Sequence, residues 1–231
     1  MASAFPKITP TGARLWRAPV RSVLVRQLYF TGVESLALIV FIGIAVGGII
    51  VNQVHFQVGQ SGPETLRLLA LITLNELAPL LTALILIARS SSAMASELAA
   101  MQVHGEIRTL KQLGIPIGHY LLLPRVVGMV LASFFLSLYF AAMAMLAAAF
   151  LVSGFNGPHE LVLLGDSLPF TTVLQGVMKS LLFGLAIAVT ACRAGLAGGH
   201  AVTDIPKAAS KAVINSLLAV FAVDLLLVVL R

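Results

Sequence analysis

Five long runs of apolar residues, separated by shorter polar stretches, set the pattern of this chain. The runs cover about residues 33–51, 68–88, 126–152, 170–191 and 212–230. Each is long enough to cross roughly 30 Å of hydrocarbon at about 1.5 Å per residue of helix. The strands of a membrane barrel would instead alternate apolar and polar residues in segments of about ten. The pattern therefore predicts an all-α polytopic membrane protein with five transmembrane helices.

The composition excludes a soluble protein of the same length. Of the 231 residues, 59% are hydrophobic and 10% are charged, whereas soluble domains average about 45–50% and about 25%. So few charges cannot coat a globule, and five spans leave no room for a separate soluble domain. We therefore expect a basic cytoplasmic segment at 1–32 and a membrane domain at 33–231. Cys192 is the single cysteine, which excludes an internal disulfide.

The basic residues outside the apolar runs predict the orientation. Counted from the N-terminus, the segments flanking and joining the runs hold 5, 1, 4, 0, 3 and 1 lysines and arginines. Because basic loops stay in the cytoplasm, we expect a cytoplasmic N-terminus and a C-terminus on the outer side of the membrane. The net charge of +6 follows from this alternation, so we expect no nucleic-acid partner.

A basic amphipathic segment precedes the first run. Trp16 and several leucines and valines are interspersed with Arg17, Arg21 and Arg26. This pattern is typical of a helix that lies in the headgroup layer, and we predict such an interfacial helix here. The alternative is an ordinary basic flank that fixes topology. The segment lacks the short apolar core and cleavage site of a signal peptide, so none is predicted.

The cytoplasmic stretch 89–125 contains a second amphipathic segment, residues 101–114. Its apolar residues recur at helical spacing, and Gly114 and Pro116 are expected to end the helix. A short amphipathic helix between two spans can dock onto a soluble partner. The alternative is a helix that rests on the membrane surface.

Three ionisable residues lie inside the apolar runs, namely Glu76, Lys179 and Asp224. A charge at the hydrocarbon centre costs at least about 2.5–3.5 kcal/mol, so such residues face protein or a polar cavity. In the predicted topology all three lie roughly 9–14 Å below the same boundary, a depth that allows them to pair. We predict that, with Asn75, they form a polar patch in a substrate cavity. The alternative is a structural ion pair that fixes helix register.

Motifs for catalysis, nucleotide binding or metal binding are missing from the sequence. There is no Gly-x-x-x-x-Gly-Lys-Ser/Thr loop, so energy would come from a partner or a gradient. The five histidines show no metal-ligand spacing, and there is no Gly-x-Ser-x-Gly nucleophile elbow. Gly43 and Gly47 form a Gly-x-x-x-Gly pattern, which allows close packing either within this chain or against a second copy.

Several blocks of the sequence resemble, in order and spacing, the MlaE/YrbE family of ABC-transporter permeases. The longest block runs from Asn75-Glu76-Leu77-Ala78-Pro79 to Ala88-Arg89-Ser90. It is similar to the family's Glu-Leu-Gly-Pro…Gly-Arg-x-Gly-Ser-Ala signature, with Ala78 in place of a glycine. Further matches lie at Val25–Tyr29, Ser96–Met101, Glu106–Leu110, Pro124–Arg125, Lys179–Gly184 and Asp224.

The resemblance implies a homodimeric permease with two copies of a separate ABC ATPase, which would bind the ATP; this chain would carry no cofactor. It also implies a periplasmic MCE-domain partner, a hexameric ring that exchanges lipid with the outer membrane, and in some members a STAS-domain subunit. Segment 101–114 resembles the family's coupling helix, with Ile107 and Leu110 as anchors. The residues expected to contact the ATPase are Glu97, Glu106, Ile107, Arg108, Leu110 and Leu113.

The sequence thus predicts a permease subunit that moves phospholipid or a related lipid between the inner membrane and an MCE-domain partner, maintaining outer-membrane lipid asymmetry. Two alternatives stay open. A gradient-driven secondary transporter would also use charges near the membrane midplane. A membrane assembly protein would transport nothing. A co-purifying ATPase would favour the permease.

Overall fold

A computed structural model of the chain describes residues 25, 27–58, 67, 70–153, 169–199 and 201–229. The described residues are almost entirely helical. The α-helices are Glu34–Val58, Ala78–Leu86, Ser92–Val103, Glu106–Gln112, Leu123–Ser153, Phe170–Leu196 and Asp204–Val229. Short π-helical turns extend or join them at Tyr29–Val33, Thr73–Leu77, Ile87–Ser91 and Gly118–Leu122.

Within the described ranges, five helical stretches are long and apolar enough to cross a membrane. We name them the first to fifth spans, in chain order: Thr31–Gln53, Ala70–Val103, Tyr120–Val152, Thr171–Leu196 and Asp204–Val229. This confirms the prediction of an all-α membrane protein with five spans. Most of the predicted interfacial helix lies outside the described residues, including Trp16, Arg17, Arg21 and Arg26.

All five spans are longer than the apolar runs that predicted them, and the difference is largest in the second, third and fifth. The second run ends at 88, but the helix continues to Val103; the third span begins at Tyr120 and the fifth at Asp204. An apolar run reflects the thickness of the membrane, whereas a helix continues wherever its packing continues. Beyond residue 88 the packing continues because Met94 and Leu98 are buried where the second span contacts the fourth and fifth.

The polar residues Asn75 and Glu76 change the second span locally without breaking it. They lie in the π-helical turn Thr73–Leu77, and Pro79 follows in the first turn of the next α-helical segment. Proline lacks an N–H and crowds the preceding turn, so a helix accommodates it by changing its hydrogen-bonding pattern nearby. The interruption seen in the sequence is therefore a local change of pitch inside a continuous span.

The third span packs against both the first and the fourth, and the fourth packs against the fifth. Glycines make the first of these contacts close. A Cβ at Gly43 would lie 3.2 Å from the carbonyl oxygen of Phe140, and one at Gly47 would collide with the backbone of Ala144. The Gly-x-x-x-Gly pattern of the first span is therefore used within this chain, against the third span.

The predicted helix at 101–114 is wrong in one respect, because it consists of two pieces. The second span ends at Val103, Gly105 has a φ of 77°, and a separate helix covers Glu106–Gln112. A positive φ is accessible to glycine at little cost and breaks the helical path. We call Glu106–Gln112 the loop helix. It ends ahead of Gly114, which has a φ of 72° and provides the predicted stop.

Candidate functional site

Lys179 lies at the centre of a group of charged residues inside the bundle. Its side chain is only 7% exposed and forms ion pairs with Glu76 of the second span and Asp224 of the fifth. The distance from Lys179 Nζ to Asp224 Oδ1 is 2.6 Å. We call these three residues the charge cluster. The structure thus brings together the three ionisable residues whose similar depth in the sequence allowed pairing.

A close approach of two backbones lets the lysine reach the second span. A Cβ at Gly176 would collide with the carbonyl oxygen of Leu74, which belongs to the π-helical turn that also carries Glu76. Lys179 follows Gly176 by about one helical turn and so lies on the same face of the fourth span. Glycine at 176 is therefore part of what brings Lys179 and Glu76 together.

A cavity of about 380 Å³ opens beside the charge cluster. Its walls are mostly apolar and its polar groups are few, as in sites that bind small molecules. The lining residues are Asn75, Glu76, Leu174, Gln175, Met178, Lys179, Leu182, Leu227 and Val228. Asp224 is not one of them, so its predicted place in the cavity is not observed. Asp224 belongs to the cluster through its ion pair with Lys179.

One cation faces two carboxylates in the cluster, and the two carboxylates differ in exposure. The side chain of Glu76 is 43% exposed and that of Asp224 is 20% exposed. A buried ammonium group requires a paired carboxylate to stay charged. The ring of Phe183 adds a cation–π contact, with its centroid 5.9 Å from Nζ. Glu76 is therefore the carboxylate that an incoming anion could replace with the smaller rearrangement.

The residues predicted to contact an ATPase differ in their availability to a partner. In the loop helix Ile107 is 7% exposed, whereas Glu106 and Arg108 are exposed. Leu110 is half-buried, and Leu113, just past the end of the helix, is 69% exposed. Ile107 is packed within this chain, and its predicted role as an ATPase anchor stays a prediction. The exposed apolar residue of this region is Leu113.

Glu97, the sixth of these residues, has a partner within the chain. Its carboxylate accepts a hydrogen bond of 3.1 Å from Arg125 Nη2 at the start of the third span. The side chain of Arg125 is 8% exposed, and its Nη1 has no hydrogen-bond partner among the described residues. The sequence assigned Glu97 to partner binding and Arg125 to topology, and so it missed this pair. The proposed contact of Glu97 with an ATPase stays a prediction.

A row of hydroxyl groups, which the apolar pattern did not reveal, joins the second, fourth and fifth spans. Ser216 Oγ lies 3.0 Å from Ser91 Oγ and 2.7 Å from Thr190 Oγ1. The available signal was the presence of small polar residues inside apolar runs, which often join helices in membranes. The three spans that carry the charge cluster are therefore connected at a second level.

The sequence is similar to that of a known family of membrane permeases and of several of its relatives. The sequence model of the family described as Permease MlaE matches residues 24–230. The chain is 24% identical over 225 residues to the intermembrane phospholipid transport system permease protein MlaE of Haemophilus influenzae, covering 94% of this chain and 86% of the relative. It is 26% identical over 201 residues to a probable ABC transporter permease protein of Rickettsia typhi, covering 84% and 77%.

A plant protein is also similar. The chain is 31% identical over 162 residues to the Arabidopsis thaliana protein TRIGALACTOSYLDIACYLGLYCEROL 1, chloroplastic. The matched region covers 69% of this chain and 46% of the plant protein, so it spans about half of that relative's length.

Proposed function

Since this chain belongs to the Permease MlaE family, we propose that it is the membrane-spanning subunit of an ABC transporter that moves phospholipid or a related lipid. The names of the Haemophilus influenzae and Rickettsia typhi relatives support the lipid and the transporter class, respectively. The observation that carries the proposal is a buried ammonium group beside an apolar-walled cavity inside a bundle of membrane-spanning helices.

The proposed assembly contains two copies of this chain and a dimer of a separate ABC ATPase, which binds and hydrolyses the ATP. A periplasmic MCE-domain ring receives or delivers lipid, a STAS-domain subunit accompanies some systems, and the complex maintains the asymmetry of the outer membrane. The chain lies in the inner membrane with its N-terminus in the cytoplasm and its C-terminus in the periplasm. The alternation of basic and non-basic loops supports this orientation.

Lys179 is proposed to bind the phosphate of the transported lipid. Without lipid it pairs with Glu76 and Asp224; when a headgroup enters the cavity, its phosphate replaces Glu76 while Asp224 keeps the ammonium group paired. A lysine suits this exchange because its point charge is carried on a flexible stem. The acyl chains would contact the apolar part of the lining, formed by Leu174, Met178, Leu182, Leu227 and Val228.

Substitutions at Lys179 test this role in proteoliposomes that contain the chain and its ATPase, with lipid transfer to an acceptor as the measurement. Lys179→Met should abolish transfer, and Lys179→Arg should reduce it, because the charge is kept but its geometry changes. Lys179→Met combined with Asp224→Asn should restore the yield of folded protein, since the more buried carboxylate no longer lacks a partner. Transfer should stay absent in this double variant.

Three outcomes would contradict the proposal. Restored transfer in the double variant would show that Lys179 is a structural partner only. Full transfer by Lys179→Met alone would remove the residue from the site. Transfer that needs an ion gradient and no ATPase would identify a secondary transporter.

A further inference from the structure

A second groove lies between the fourth and fifth spans, about 20 Å along the fourth span from Lys179. It has a volume of about 440 Å³ and is lined by Thr190, Arg193, Ala194, Ala197, Lys211, Asn215 and Leu218. The positions recur every three or four residues in both spans, so each helix contributes one face. We call this the basic groove.

The basic groove carries positive charge that the described part of the chain does not neutralise. Arg193 and Lys211 are exposed, and neither forms an ion pair with a described residue. No carboxylate is among the described residues that line the groove. Lys207 is different, because its Nζ lies 3.1 Å from Asp204 Oδ1. Arg193 and Lys211, which have no ion-pair partner among the described residues, therefore line the groove together with Asn215, and this favours an anionic occupant.

The ends of the apolar runs place the groove near the expected boundary between headgroups and hydrocarbon. Arg193 and Lys211 flank the ends of the apolar runs 170–191 and 212–230, where lipid phosphates lie. Leu218 follows Lys211 by about two helical turns, or roughly 10 Å, and is 62% exposed. One end of the groove is thus charged at headgroup depth, and the other is apolar at acyl-chain depth.

We propose that the basic groove binds an anionic phospholipid of the surrounding leaflet, with its phosphate between Arg193 and Lys211 and an acyl chain along Leu218. A guanidinium group can bind two oxygens of one phosphate, and an ammonium group adds a point charge. Basic pockets between transmembrane helices near the cytoplasmic surface bind such headgroups. This lipid is a resident ligand rather than cargo, because the groove shares no lining residue with the cavity at Lys179. Its binding therefore does not depend on the proposed transport function.

The test uses the full chain in detergent micelles and measures the binding of fluorescent phosphatidylglycerol, with fluorescent phosphatidylcholine as the uncharged comparison. Arg193→Gln and Lys211→Gln should each weaken phosphatidylglycerol binding about fivefold, and the double variant roughly 25-fold. Binding of phosphatidylcholine should stay unchanged. Lys207→Gln is the matched control, because it removes the same charge nearby from a lysine that is already paired. Arg193→Lys should keep most of the binding.

Repeating the measurement in the Lys179→Met/Asp224→Asn background, in which folding is expected to be restored, separates the basic groove from the transport cavity. The loss caused by Arg193→Gln/Lys211→Gln should be the same in both backgrounds. The proposal is overturned if the Arg193→Gln/Lys211→Gln variant binds phosphatidylglycerol normally, if Lys207→Gln weakens binding as much, or if binding is lost only in the Lys179→Met/Asp224→Asn background. It is also overturned if the Arg193→Gln/Lys211→Gln variant still binds phosphatidylglycerol but no longer co-purifies with the ATPase. The groove would then bind an acidic protein surface rather than a lipid.

Discussion

Lys179 and Arg125 are buried cations, and each is held by a carboxylate from another span. Lys179 has two such partners, Glu76 and Asp224, whereas Arg125 has one, Glu97. The Glu97 side chain is 62% exposed and Arg125 Nη1 has no hydrogen-bond partner among the residues that the structure describes. Loss of this single carboxylate would leave a buried guanidinium group without compensation. Arg125 is therefore the cation more sensitive to removal of a partner.

Glu97→Gln should lower the free energy of unfolding by about 1–2 kcal/mol, because it leaves the guanidinium group of Arg125 buried and poorly compensated. The solvent around the exposed Glu97 side chain limits the size of this effect. Glu106→Gln is the control, since it removes the same charge from an exposed side chain. Arg125→Met combined with Glu97→Gln should recover most of the loss. The measurement is the melting temperature in detergent. Equal melting temperatures for Glu97→Gln and Glu106→Gln would argue against a stabilising ion pair between Glu97 and Arg125.

The sequence predicted Lys179 more successfully than Arg125 because their surroundings differ. A lysine in the middle of an apolar run has to be paired or functional, which drew attention to it. Arg125 lies at the edge of a run, where the positive-inside rule explains it equally well. The same ambiguity concealed the ion pair between Arg89 and Glu34. The partners of Arg125 and Arg89 could not be predicted, because they depend on which helices are neighbours.

Single residues decide where the helical elements begin, end and change direction. The stop at Gly114 could be predicted because glycine follows the last apolar position of the amphipathic pattern. The break at Gly105 could not, since an isolated glycine inside such a pattern is also compatible with a continuous helix. In the separate loop helix Ile107 is buried, and Leu113 just beyond its end is exposed. The proposed docking surface therefore shifts towards the C-terminal end of the loop helix.

Leu113→Asp should weaken co-purification of the ATPase by at least about fivefold while leaving the yield of the inserted chain unchanged, because an exposed interface anchor commonly contributes more than about 1 kcal/mol. Val202→Asp is the matched control, since Val202 is also 69% exposed but lies between the fourth and fifth spans. Ile107→Asp should instead lower the yield, because it places a charge in a packed position. An unchanged ATPase ratio with Leu113→Asp would exclude this residue from the coupling contact.

Across the whole molecule the second span is the most buried of the five, and the fifth and first are the least. The charge cluster and the row of hydroxyl groups both join the second span to the fourth and fifth. The apolar pattern predicted the number of spans, because each span is long and apolar enough to be recognised from the sequence. It could not predict their arrangement, since any two apolar helices can pack. Glycines and buried polar groups select the neighbours, and their partners become visible only in three dimensions.

Cysteine labelling should establish the orientation of the bundle. In intact cells a membrane-impermeant maleimide should label Ser167→Cys, which lies in a loop predicted to be periplasmic, and should label Val202→Cys only after permeabilisation. The native Cys192 is buried, so the unmodified protein serves as a low-background control. Labelling of Ser167→Cys only after permeabilisation would reverse the predicted topology.

During biosynthesis Glu76 reaches the membrane long before its partner has been made. Lys179 follows it by 103 residues, and Asp224 is made later still. The second span therefore enters the bilayer before Lys179 can pair with Glu76, and its apolar residues outweigh the cost of about 2.5–3.5 kcal/mol for placing a charge in the hydrocarbon. The fourth span then inserts its lysine beside a carboxylate already in place, and the fifth inserts its aspartate beside an ammonium group. The fourth span is thus drawn to the second and the fifth to the fourth, so the charge cluster is expected to form in the order of synthesis.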